Sequence, residues 1–113
     1  MFKKDGSNIR TLLQASYKIQ NFALHLSGPD ELFADERTFD AILMNIIIMG
    51  EAVTDLSDNF KQIHSHLPWQ AIRDFRNQVA HEYFSIDAEE VWQYLTNFLP
   101  QFTEHLQKIA KFK

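Results

Sequence analysis

Arg76, Asn77, His81 and Tyr83, all within the segment RNQVAHEY, form the densest set of usable side chains in this chain. An arginine presents a planar fork of N–H donors that fits phosphate oxygens and stays charged at any physiological pH. A histidine titrates near neutrality, so an imidazole can take a proton from a ribose 2′-hydroxyl or give one to a leaving 5′-oxygen. Together they suffice for RNA cleavage without a metal. The 2′-oxygen attacks the adjacent phosphorus, Arg76 stabilises the charge that develops, and His81 handles the protons. Asn77 would orient the imidazole or hold the phosphate. Tyr83 offers a hydroxyl able to accept a modifying group.

Spacing says how a helix would aim these groups. At about 100° per residue, Arg73, Asn77 and His81 fall on one line, and Arg76 and Tyr83 on a second if the helix persists that far. Arg76 and His81 differ by about 140°, so one continuous helix does not point both at the same spot. A two-fold copy of the helix can complete such a site, which suggests a composite pocket between subunits. The same residues also suit an ordinary helix end. Arginine and histidine are favoured near the negative end of the helix dipole, and a tyrosine can cover the core with its hydroxyl in water.

The elements that must hold these residues are helical. Ile9, Leu12, Leu13, Ser16, Ile19, Ala23 and Leu26 recur at helical spacing and predict a first helix from Ser7, as N-cap, to Leu26, stopped by Gly28-Pro29. A second helix should begin between Asp35 and Thr38 and run to about Leu56. Its middle, ILMNIIIMG, is apolar nearly all round, which suggests that it lies between neighbours or contributes to a subunit interface. Gly50 there disfavours the helix by about 1 kcal/mol relative to alanine, which a close helix crossing would explain. Asn59 to Leu67 reads as a loop or loose turn, and Pro68 restarts a third helix reaching His81. Asp87 with Glu90 forms a capping-box pattern opening a fourth helix, with Val91, Leu95, Phe98, Phe102, Leu106 and Ile109 as its buried stripe. Pro100 should kink it. The expected fold class is all-α, an up-and-down four-helix bundle with a kinked C-terminal helix.

Composition agrees. At 113 residues, a second core would leave each half too little apolar surface to bury, so one domain over residues 1–113 is expected. Ten Phe against three Gly and three Pro favour long helices over a many-stranded sheet. The absence of cysteine excludes disulfides and thiolate metal sites and fits a cytoplasmic location. No signal peptide is visible in MFKKDGSNIR, and the apolar run around Ile46 is too short to span a bilayer, so no membrane association is expected. Formal charge is -4, and eight acids between Asp30 and Asp58 face one base, Arg37. Broad coating of nucleic acid is therefore disfavoured, and any RNA contact must be local. Arg73 with Arg76 and Lys108, Lys111 and Lys113 are the remaining basic clusters.

Other candidates carry less. His64 and His66 have no acid or cysteine at ligand spacing, so neither a metal nor another cofactor is expected. Glu51, beside Gly50, either orients Arg76 or His81 or faces solvent on the far side of its helix. The aromatic series Trp92, Tyr94, Phe98 and Phe102 reads as core.

The segment RNQVAHEYF resembles the signature of HepT-like toxins of the HEPN superfamily: arginine, a polar residue, three residues, histidine, one residue, tyrosine. MGEA at Met49–Ala52, Pro68-Trp69, SIDAEEVW and LPQF at Leu99–Phe102 extend the resemblance over most of the chain. The resemblance implies an all-helical homodimeric toxin whose motif helices meet to form an RNA-cleaving site acting on transfer or messenger RNA. It also implies a minimal nucleotidyltransferase antitoxin as partner, which moves AMP from ATP to the motif tyrosine. By position, Arg76 and His81 are the catalytic pair, Asn77 the supporting residue and Tyr83 the AMPylation site. A non-catalytic helical binding subunit of a nucleotidyltransferase is the alternative.

Overall fold

In the computed structural model, which describes residues 3–110, every regular element is helical. Four long helices make the bundle: α1 (Lys3–Phe22), α3 (Glu36–Asp55), α5 (Trp69–His81) and α7 (Leu99–Ala110). Three short ones fill the corners: α2 (Pro29–Ala34), α4 (Asp58–Ile63) and α6 (Ala88–Gln93). The apolar α3 packs on α1 along one side and on α5 along the other, and α1 also meets α7. This is the sandwiched position expected of a helix apolar nearly all round. Leu12, Ile19, Ile42, Ile46, Met49, Ile72, Leu99, Phe102 and Leu106 meet in one buried cluster.

Local chemistry sets most boundaries. Asp35 opens α3, its Oδ1 accepting the Thr38 amide at 3.2 Å. Asp87 caps α6 through the Glu89 amide, while Glu90 accepts from Gln78 on α5 and does not close the expected capping box. The irregularity expected at Pro100 takes the form of a π-helical turn over Tyr94–Phe98, where the Leu99 amide bonds the Tyr94 carbonyl five residues back. Proline lacks an amide hydrogen and crowds the preceding turn, and widening that turn accommodates both.

Three expectations need correction. α1 begins by Lys3 and ends at Phe22, so Ser7 lies inside it and is not its N-cap. Pro29 does more than end a helix: it sits in the first turn of α2, where its missing donor does no harm, and Leu32 buries against the core. Asn59 to Leu67 is not all loop, because Ser57 caps α4 by accepting the Phe60 amide. Ser57 is itself held by buried Asp5, which accepts its amide at 2.8 Å and its hydroxyl at 2.7 Å, tying α1 to the α3–α4 corner. No helix among the described residues is long and apolar enough to cross a membrane.

The aromatic series packs inside, as expected. Tyr94 stacks between Phe75 and Phe98 at centroid distances of 4.3 and 4.9 Å. Its hydroxyl is buried without a hydrogen-bond partner among the described residues, and burial pushes its pKa well above the ordinary phenol value.

Candidate active site

Gly50 decides where Arg76 goes. A Cβ at Gly50 would stand 2.3 Å from both Cβ and Cγ of Arg76, closer than side chains tolerate, so only glycine lets the stem lie across α3. The close crossing expected at this glycine is therefore a seat for one arginine. Beyond it the guanidinium reaches Glu51: Nη2 donates to Glu51 Oε1, and Nη1 donates to Asn77 Oδ1 at 3.1 Å. A guanidinium has five N–H donors, so three remain for a ligand. The Arg76 side chain is 32% exposed and Glu51 55%, so the pair is open to solvent. At such exposure an ion pair contributes about 0–1 kcal/mol, and its effect here is to aim a side chain more than to hold the fold together.

α5 is continuous to His81, so Arg73, Asn77 and His81 do share one line of the helix. Asn77 turns its carbonyl oxygen to Arg76 and leaves the imidazole alone. His81 is exposed and makes no hydrogen bond or ion pair among the described residues. Arg76 and His81 stand about 7.5 Å apart along the axis and about 140° apart around it. One protomer thus gathers Arg76, Asn77 and Glu51 and presents His81 separately at the helix end.

Tyr83 leaves the helical line. The Glu82 amide closes α5 on the Gln78 carbonyl, and the Ser85 amide bonds the Glu82 carbonyl, turning the chain back toward α3. There the Tyr83 hydroxyl donates to Asp40 Oδ1 at 2.8 Å. That bond, with some loss of solvent and the nearby charges of Asp40 and Glu36, raises the Tyr83 pKa above the ordinary 10.0. Tyr83 remains 43% exposed, and Phe84 beside it is 99% exposed.

α3 organises all of this. Asp40 and Glu51, the partners of Tyr83 and Arg76, lie eleven residues apart, about 16 Å along the axis and close to one face. Exposed Met44 and Ile48 lie midway between them. Sequence reasoning raised Glu51 without choosing it, the signal being a carboxylate next to glycine in an apolar helix. Asp40 carried no such signal.

Comparison with known proteins is consistent with this site. The family described as "Ribonuclease HepT-like" matches residues 12–109. "Probable ribonuclease HepT" of Thermococcus cleftensis is 25% identical over 103 residues, covering 91% of this chain and 93% of the relative. "Putative RNase MJ0127" of Methanocaldococcus jannaschii is 29% identical over 82 residues, covering 73% of this chain and 68% of the relative. No solved structure gives a significant match.

Proposed function

This chain belongs to the HepT-like ribonuclease family, and from that premise we propose that it is the toxin of a toxin–antitoxin pair, a metal-independent endoribonuclease working as a homodimer. The observation that carries this reading is the seating of Arg76 across Gly50, with three donors free, on the helix that ends in an unpaired His81. In the reaction the ribose 2′-oxygen forms a bond to phosphorus as the bond to the 5′-oxygen breaks, leaving a cyclic phosphate and a 5′-hydroxyl. Arg76 stabilises the charge on the non-bridging oxygens. One proton leaves the 2′-hydroxyl and another reaches the 5′-oxygen, and two imidazoles divide these tasks better than one.

A second copy supplies the other imidazole. Met44 and Ile48 are exposed apolar side chains at the midpoint between Asp40 and Glu51. Two copies packed there about a two-fold axis, with their α3 helices antiparallel, set the Tyr83 end of each beside the Arg76 end of the other. A nucleotide joined to Tyr83 by the antitoxin would then bring negative charge and bulk to the partner's guanidinium and exclude substrate phosphate.

The test is cleavage of RNA by the purified protein in the presence of a chelator. His81→Ala is expected to lower the rate by about 10²–10⁴-fold, as for loss of a general acid–base group. Tyr83→Phe is expected to keep cleavage and to escape AMPylation by the partner nucleotidyltransferase. Cleavage that survives His81→Ala, or is absent from the unmodified protein, refutes the ribonuclease reading.

A further inference from the structure

Beside the Arg76 seat, between α4 and the first turns of α5, lies a cleft of about 690 Å³ lined by Lys61, Gln62, Ser65, Gln70 and Arg73, with Asp58 at its edge. Its two cations are not in the same state. Lys61 is held, its Nζ donating to the Val53 carbonyl at 3.2 Å and standing 4.0 Å from the fully exposed Asp58 carboxylate. Arg73 has no hydrogen bond or ion pair among the described residues. The nearest acid in sequence, Asp74, accepts from Gln70 at 2.8 Å and is thereby engaged elsewhere. A half-buried guanidinium lining a cleft with all its donors unused is a phosphate-binding group without its phosphate.

We propose that this cleft is a second phosphate site for the RNA strand, in which Arg73 grips the backbone phosphate next to the one held at Arg76. The proposal rests on the ribonuclease reading and extends it along the substrate. Arg73 and Arg76 are three residues apart on a continuous helix, which puts their Cβ atoms about 5–6 Å apart, close to one step along an extended RNA backbone. The opposite direction is closed to a polyanion. Beyond Arg76, toward Tyr83, the surface carries Asp40 and Glu36. A strand entering at Arg76 in a chain of net charge -4 can therefore extend favourably only toward Arg73 and Lys61.

The experiment compares a single-stranded oligonucleotide of about ten residues, which has flanking phosphates, with a dinucleoside monophosphate, which has only the scissile one. Arg73→Ala is expected to lower the ratio of kcat/KM for the oligonucleotide to that for the dinucleotide by about tenfold, through KM, as loss of a charge-assisted bond at a half-exposed site would. The slope of log(kcat/KM) against log salt should fall by about one, the signature of one lost phosphate contact. Arg73→Gln, which keeps most of the packing, should behave like the alanine variant, and Arg73→Lys should recover part of the loss. An unchanged ratio, or an equal loss on both substrates, overturns the proposal. A separate arm measures binding of the labelled oligonucleotide to His81→Ala protein with and without Arg73→Gln, and repeats it with inorganic phosphate as competitor. Binding that depends on Arg73 while the unmodified protein cleaves nothing would refute the ribonuclease reading and keep the phosphate site. Binding indifferent to Arg73 refutes the site whatever happens to cleavage. Competition by phosphate alone as strong as that by a longer strand would assign the cleft to a free anion and overturn the strand assignment.

Discussion

Gly50→Ala is the sharpest test of the seat, because its sign is opposite to that of an ordinary helix substitution. In an exposed helix interior, alanine in place of glycine stabilises by about 1 kcal/mol. Here the new Cβ would stand 2.3 Å from Arg76 Cβ and Cγ, where ordinary contact begins at 3.4 Å. Arg76 Cγ can turn away with χ1, but Cβ is fixed to the α5 backbone, so α5 must move off α3 by about 1 Å. Overpacking of this kind costs about 1–3 kcal/mol, which leaves a net loss of about 1 kcal/mol after the gain in helix propensity. For a domain of this size that lowers Tm by about 4–8 °C. Thermal unfolding by circular dichroism measures it, with Gly28→Ala as the control. Gly28 has extended backbone and nothing within 4 Å of its would-be Cβ, so alanine there should leave Tm unchanged or raise it. RNA cleavage should fall in Gly50→Ala, because the displaced stem no longer carries the guanidinium to Glu51. A Tm that rises in Gly50→Ala, as it would at an open helix surface, refutes the close seat.

Two further outcomes follow from the packing and the caps. Tyr94→Phe keeps the ring stacked between Phe75 and Phe98 and removes a buried hydroxyl that has no partner among the described residues, so unfolding in urea should show stability unchanged or raised by about 1 kcal/mol. A clear loss would mean that the hydroxyl is satisfied after all. Asp35 accepts from His25 and from Thr38, and these bonds hold its pKa below the ordinary 3.8. A depressed folded pKa contributes stability that is fully present above the unfolded value and disappears as pH falls through the folded one. The Tm difference between the unmodified protein and Asp35→Ala should therefore be constant at neutral pH and shrink below pH 3.8. A difference that persists through the acid limb would show that the carboxylate's charge is not what caps α3.

What could be read from sequence was local. The span of α3, its Asp35 cap, the end of α5 at His81 and the close approach at Gly50 all depend on periodicity, on capping chemistry, or on one residue out of place in a pattern. The contacts that organise the site join distant positions. Asp5 with Ser57 spans 52 residues, Tyr83 with Asp40 spans 43, and Arg76 with Glu51 spans 25. Each exists because two helices happen to bring those side chains opposite one another, and no local pattern marks the acid that will be chosen. α4 was missed for a different reason. Six residues are too few to display a period, and only Ser57 ahead of Asp58 announced it.

The two partners of Arg76 act on different parts of it, with different energies. The exposed Glu51 pair contributes about 0–1 kcal/mol, so an incoming phosphate can replace the carboxylate at little expense. The steric seat at Gly50 cannot be exchanged in that way, since any side chain there displaces the helix. Shape therefore fixes where the stem crosses α3, and charge sets only the heading of the guanidinium at rest. A group positioned in this manner is already at its place when the substrate arrives and needs to release one weak bond to engage it. That is a better arrangement for stabilising a transition state than a strong ion pair, whose disruption would consume the interaction meant for the developing charge.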